Sequence, residues 1–284
     1  MTENLQITPK ILASLIDHTQ LMPFATCQDI KKLCEEASQL ETATVCVNES
    51  RVEEAVRFLN EYNMKNSSNV KVCCVIGFPL GSATTNIKIA SAIDAIHKGA
   101  REIDMVINIG FLKDGMKAEG EEKIKLLSRF KQDIEAVMEA IDNYNQEHSI
   151  NIILKVIQEN CYLEEEEIKI ATTTIAKLAG NFKLKVFAKT STGFGVPKKG
   201  PIDKEDVGST ENDIKIMANA IKEITKGEYL VGIKAAGGIR DKETTLKMLK
   251  AAGCIIEEDG EDKLVNNYKE LFRIGASATK DICK

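Results

Sequence analysis

Three lysines stand inside or at the end of apolar segments: Lys155 in Ile-Leu-Lys-Val-Ile, Lys189 in Val-Phe-Ala-Lys-Thr and Lys234 in Val-Gly-Ile-Lys-Ala. A buried ammonium is costly unless it is paired, so each position needs a reason. A structural ion pair with a nearby carboxylate would supply one. Chemistry would supply another: Lys189 and Lys234 end consecutive strand candidates, where their side chains can converge. Two adjacent cations depress each other's pKa, and partial desolvation acts in the same direction, which leaves a neutral amine fraction able to form an imine with a carbonyl substrate. Asp17 in Leu-Ile-Asp-His-Thr and Asp104 in Glu-Ile-Asp-Met-Val also interrupt apolar strands. They serve either as counter-charges for the lysines or as groups that move protons through a positioned water.

Glycine turns give a second signal. Thr190-Ser-Thr192-Gly193, Gly237-Gly238-Ile239-Arg240 and Gly275-Ala-Ser277 follow three successive strand candidates. Bare glycine backbone lets N–H groups approach an anion, so these turns suggest a phosphate subsite, with Arg240 and Arg273 as candidate reinforcements. Cys46, in Val-Cys-Val, is expected to be a core thiol lining the substrate pocket and not a nucleophile. His18 adjoins Asp17, and neighbouring strand residues face opposite ways, so His18 is expected to be structural. Glu164 to Glu167 is expected to be a solvated first helical turn.

The elements that must position these groups alternate along the whole chain. Strand candidates are Leu15–Thr19, Thr42–Val47, Val70–Phe78, Glu102–Asn108, Ile152–Glu159, Lys185–Thr190, Leu230–Lys234 and Glu270–Ile274. Several are continuous apolar runs, as strands covered on both faces should be. Helix signals fall between them: capping patterns at Thr26-x-x-Asp29, Ser50-x-x-Glu53 and Thr210-x-x-Asp213, apolar stripes such as Ile30, Leu33, Cys34, Ala37, and glycine stops at Gly99, Gly180, Gly227 and Gly253. A helix is also expected over Glu121–Tyr144, and a short one over Gly275–Cys283. Eight such units predict a single (β/α)8 TIM barrel over residues 1–284, with the chemistry at the C-terminal ends of the strands. The polar stretches Glu61–Asn69, Asn143–Asn151 and Glu257–Asn267 should then be surface insertions on the opposite face, with a partner or oligomer surface as the alternative, and Gly195–Asp206, on the catalytic face, could form a lid.

Composition narrows the class. With 38 Lys+Arg against 43 Asp+Glu, a net charge of -5 argues against a broad nucleic-acid or anionic-membrane surface. A hydrophobic content of 43% is enough for a large core and excludes a disordered chain. No apolar run is long enough to span a bilayer, and the first ten residues lack a secretory signal pattern, so a cytoplasmic protein is expected. Eight scattered cysteines without a C-x-x-C pair, and only three histidines, predict reduced thiols and no metal.

The segments Leu15-Ile-Asp-His-Thr, Val45-Cys-Val-Asn, Val75-Ile-Gly-Phe-Pro-Leu-Gly, Glu102-Ile-Asp-Met-Val-Ile-Asn-Ile-Gly, Leu154-Lys-Val-Ile, Ala188-Lys-Thr-Ser-Thr-Gly-Phe-Gly, Gly237-Gly-Ile-Arg and Arg273-Ile-Gly-Ala-Ser together resemble the deoxyribose-phosphate aldolases. The resemblance implies a class I, cofactor-free aldolase that reversibly cleaves 2-deoxy-D-ribose 5-phosphate to acetaldehyde and D-glyceraldehyde 3-phosphate, in deoxyribonucleotide catabolism. It implies Lys189 as the Schiff-base lysine, Lys234 as the second lysine and Asp104 as the acid–base residue. Asp17 and Thr19 become supporting polar positions, and Thr192, Gly193, Gly237, Gly238, Ile239, Gly275 and Ser277 the substrate- and phosphate-binding positions. The chain departs from the family pattern at Ala278, at Asn160 and in having no tyrosine after Tyr268. Expected partners are a sugar phosphate and an aldehyde, with no nucleic acid and no membrane; a homodimer is compatible with the sequence. Two alternatives stay open: another Schiff-base sugar-phosphate aldolase or transaldolase, and a non-catalytic phosphate-binding or protein-interaction module on the same fold.

Overall fold

The computed structural model describes residues 5–196, 207–258 and 260–284. Eight parallel strands close into a barrel: β1 Ile16–Gln20, β2 Thr44–Val47, β3 Lys71–Ile76, β4 Glu102–Val106, β5 Ile153–Ile157, β6 Lys185–Lys189, β7 Val231–Ala236 and β8 Phe272–Ala276, with β8 pairing back to β1. Helices cover the outside. No helix among the described residues is long and apolar enough to cross a membrane.

A two-residue alternation splits every strand between two cores. In β4, Ile103 and Met105 join the large apolar cluster under the helices, whereas Glu102 and Asp104 share the other, inward face. Leu154 and Val156 around Lys155, Val186 and Ala188 around Phe187, and Ile233 and Ala235 around Lys234 repeat the rule. The lumen is therefore polar, with a small apolar group of Leu21, Cys46, Cys73 and Val75 toward one side. Phe187 fills the lumen below Lys189, and it fits because its neighbour in β7 is Gly232, where a Cβ would lie 2.3 Å from the ring.

Local signals set most helix starts. Thr26 and Asp29 form a complete capping box for the helix Cys27–Leu40, which buries Ile30, Leu33, Cys34 and Ala37. Thr210 accepts from the Asp213 N–H at the start of Glu211–Thr225. The Ser50/Glu53 box does not form: Glu49–Arg51 is a 3-10 turn, and Val52–Asn66 starts without a side-chain cap. Glu164, Glu165 and Glu166 are exposed, as a solvated first turn should be, but Glu167 is not. Glu167 is buried, takes the Glu164 N–H and pairs with Lys113 at 2.5 Å, so the turn anchors the helix Ile109–Lys117 that follows β4. His18 turns outward to Thr279 (2.8 Å) and Glu36 (3.3 Å), as the strand alternation requires.

The polar insertions are more ordered than loops. Glu61–Asn66 extends one helix and Asn143–His148 ends another, Gly120–His148. The third folds as a hairpin, Ile255–Glu258 with Glu261–Leu264, whose second strand pairs with Leu5–Gln6. The last strand begins and ends two residues beyond the expected one, and the final helix shrinks to Thr279–Ile282. In the expected lid, residues 197–206 lie outside the described residues.

Candidate active site

Parallel pairing of β6 with β7 places Lys189 directly opposite Lys234, and pairing of β4 with β5 places Asp104 opposite Lys155. All four side chains share the lumen face. Both Lys189 (2.6 Å) and Lys234 (2.7 Å) donate to the same oxygen, Oδ2 of Asp104, while Lys155 donates to Oδ1 at 2.9 Å. Lys234 also pairs with Asp17, and Lys155 reaches Asp17 at 3.3 Å and Glu102 at 2.6 Å. Lys155 and Lys234 have no solvent exposure, and Lys189 retains 3%. Among the described residues the three lysines thus differ in their carboxylate partners: Lys155 meets Asp17, Glu102 and Asp104, Lys234 meets Asp17 and Asp104, and Lys189 meets Asp104 alone.

This geometry corrects one sequence expectation. Lys234 was expected to lose affinity for its proton beside another cation. Burial does act that way, but Asp104 and Asp17 outweigh it, and the pKa of Lys234 is raised. Lys155 is raised for the same reason, with burial opposed by Asp104 and Asp17. Both lysines are therefore fixed cations. Burial alone would raise the Asp104 carboxyl, but Lys155, Lys189 and Lys234 together hold it well below the carboxylate range. Asp17 follows: burial is overcome by Lys155 and Lys234, and its pKa falls from 3.8 to about 2.

A carboxyl whose pKa is depressed on folding adds stability above its unfolded value, and that stability is lost as pH falls through the folded value. For Asp17 the window runs from 3.8 down to about 2. Asp17→Asn removes this titration, so its acid-unfolding curve, followed by circular dichroism, is expected to be flatter than the parent's across that window. An identical pH dependence would show that Asp17 is not ion-paired in solution.

Around this centre, Thr44 donates to Asp17 Oδ1 at 2.9 Å and Thr19 donates to the Asp17 carbonyl at 2.7 Å, which orients β1. Cys46 is buried and lies in the lumen, not under the helices. A hydrogen bond with Cys73 lowers its pKa, against burial and with help from Lys234. Cys73 in turn donates to Asp104 at 3.2 Å. Cys46, Cys73 and Asp104 bring three metal-type donors within 4.8 Å of one another. Lys155 donates to both Cys73 (3.3 Å) and Asp104, so two of these three groups already hold an ammonium.

The glycine turns meet above β6 and β7. Gly193 and Gly237 both have φ +83°, in the left-handed region, and a Cβ on Gly237 would lie 2.8 Å from the Gly208 Cα and 3.6 Å from the Gly193 Cα. Gly193, Gly238 and Ser277 are exposed at this mouth. The Ile239 side chain instead packs into the main core, leaving only its backbone for a ligand. Gly275 lies within β8 and not in a turn; a Cβ there would lie 3.2 Å from Lys234 Cε, so its bareness serves the lysine stem. Arg240 is exposed, whereas Arg273 starts β8 at the far end of the barrel, which removes it from this subsite.

Sequence reasoning missed Glu159. It is buried, sits at φ 59°, and accepts the Thr192 hydroxyl and the Thr192 N–H (3.2 Å), so it fixes the turn after β6. Burial raises its pKa. Its polarity after an apolar strand was the available signal. Glu102 was legible too, two residues before Asp104 and hence on the same face.

The profile of the DeoC/LacD family aldolases matches residues 11–284. The chain belongs to the DeoC/LacD aldolase family. Within it, the chain is 39% identical over 259 residues to the deoxyribose-phosphate aldolase of Caldanaerobacter subterraneus, covering 91% of this chain and 94% of that one. It is 42% identical over 240 residues to that of Thermococcus gammatolerans, covering 84% and 88%. A solved structure from Coccidioides immitis, described as a candidate deoxyribose-phosphate aldolase, superposes with a TM-score of 0.72 at 31% identity, covering 99% of this chain and 87% of that one. A deoxyribose phosphate aldolase from Aeropyrum pernix superposes at 0.66 with 22% identity, covering 97% and 91%, and bears on the fold alone. For a DeoC/LacD aldolase, the lysine and carboxylate cluster at the centre of the barrel is the part that can do carbonyl chemistry.

Proposed function

We propose that this protein is a class I aldolase that reversibly cleaves 2-deoxy-D-ribose 5-phosphate to acetaldehyde and D-glyceraldehyde 3-phosphate. The observation that carries the reading is the inequality among the three lysines: two are locked by several carboxylates, and Lys189, which faces the mouth, has only Asp104 among the described residues. The relatives' names supply the substrate.

In this mechanism Lys189 Nζ attacks the C1 aldehyde of the open-chain sugar, and loss of water gives a protonated imine. A base removes the proton of the C3 hydroxyl, the C2–C3 bond breaks, and its electron pair moves into the imine to give an enamine. The C3 fragment leaves as D-glyceraldehyde 3-phosphate. Protonation at C2 and hydrolysis release acetaldehyde and restore the amine. Asp104, within 2.6 Å of Lys189 Nζ, is the group placed to pass protons through a water, and Lys234 is the fixed cation that keeps Asp104 ionised. The turns at Thr192–Gly193, Gly237–Gly238 and Ser277 would receive the 5-phosphate on backbone N–H groups.

The same proposal includes a cytoplasmic location, supported by cysteines that form no disulfide among the described residues, and a role in deoxyribonucleotide catabolism; a homodimer is compatible with it. Incubation with deoxyribose 5-phosphate is expected to release acetaldehyde and D-glyceraldehyde 3-phosphate in equal amounts, read by coupled dehydrogenase assays. Transfer of a dihydroxyacetone unit between sugars would favour a transaldolase instead, and no reaction would favour a binding module.

A further inference from the structure

A cleft of about 480 Å³ opens on the N-terminal face of the barrel, at the end opposite the lysine cluster. Its walls come from the starts of β3, β4 and β8 and from the segments before β1, β2 and β8. Its charges are unbalanced. Lys10 pairs with Glu41 at 2.8 Å, and Glu102 is turned inward to Lys155 at 2.6 Å. Lys71 and Lys269 have no carboxylate partner within ion-pair distance among the described residues: Lys71 donates to Asn69 (2.6 Å), and the Lys269 ammonium sits 5.7 Å from the Tyr268 ring centre. Behind them Arg273 is 7% exposed, donates to the Lys269 carbonyl at 2.7 Å, reaches Glu102 only at 3.8 Å, and has no acceptor for its Nε proton among the described residues.

A buried guanidinium with an unsatisfied donor and two unpaired ammonium groups at the rim are together the donor set of an anion site. The volume suits a small molecule. We infer that this cleft binds a compact dianion, such as a small phosphate ester or dicarboxylate, held by Arg273, Lys71 and Lys269 and separate from the catalytic mouth. Its floor continues into the reaction centre: Glu102 joins Arg273 to Lys155, and Lys155 donates to Asp104. An anion that neutralises Arg273 changes the field at that end of the charged row, which gives the cleft a route to the chemistry.

The test is calorimetric titration of inorganic phosphate and, separately, malonate into the parent protein and into Lys71→Ala/Lys269→Ala, at low ionic strength because rim charges are screened by salt. The double variant alters only the cleft rim, so its melting temperature and turnover without added anion should match the parent's. The parent is expected to bind at least one of the two anions at a class of site whose affinity falls tenfold or more in the variant. Isotherms unchanged by the double substitution would assign all anion binding to the catalytic mouth and overturn the inference. Absence of binding by both anions would overturn it as well.

Discussion

Lys189→Ala is expected to lower turnover by about 10⁴-fold or more while leaving the protein folded, because it removes the only nucleophile in the proposed path. The cluster explains why the fold survives. Asp104 keeps Lys155 at 2.9 Å and Lys234 at 2.7 Å after the substitution, so no buried carboxylate is left alone. Melting within about 2 °C of the parent is expected, a shift equivalent to roughly 1 kcal/mol in a domain of this size. Treatment of the parent with acetaldehyde and borohydride, followed by peptide mapping, should give an N-ethyl group on Lys189, since reduction traps the imine. Label on Lys155 or Lys234, or on no lysine, would remove the mechanism. So would turnover that survives in Lys189→Ala.

Asp104→Asn should behave in the opposite way. It keeps the shape of the side chain but leaves Lys155 and Lys234 with Asp17 and Glu102 as their remaining acidic partners, and Lys189 with no carboxylate in contact among the described residues. Breaking a buried ion pair from one side strands charge in a medium that solvates it poorly, at a cost of about 3–5 kcal/mol. A fall in melting temperature of about 5–8 °C is expected, together with loss of turnover. Thermal denaturation of the two variants side by side decides the matter. If Asp104→Asn melts with the parent, the cluster is not the paired structure described here.

Most of the barrel was legible because its strands carry their instruction locally. Ile103 and Met105 flank Asp104, and Val186 and Ala188 flank Phe187, so a two-residue period fixes which side chains face inward once both faces are known to be covered. The same period placed Lys189, Lys234, Lys155, Asp17 and Asp104 in one lumen and turned His18 away. Features that depend on strand-to-strand register were not legible. The sequence shows that Lys189 and Lys234 are near each other; it does not show that one carboxylate oxygen stands between them, and that fact reverses the expected shift at Lys234. Arg273 was misplaced because the last strand begins two residues late, which puts the arginine at the far end. Lys88 escaped notice altogether. It is fully buried against Asp133 at 2.6 Å, two helices apart in sequence, and nothing in its own helix marks it.

Since reactive and packing residues take alternate places on the same eight strands, the barrel cannot alter one set without disturbing the phase of the other. A lineage diverging from this protein would find its reaction type inherited with the fold, and its freedom to explore new substrates confined to the connecting turns at the rim.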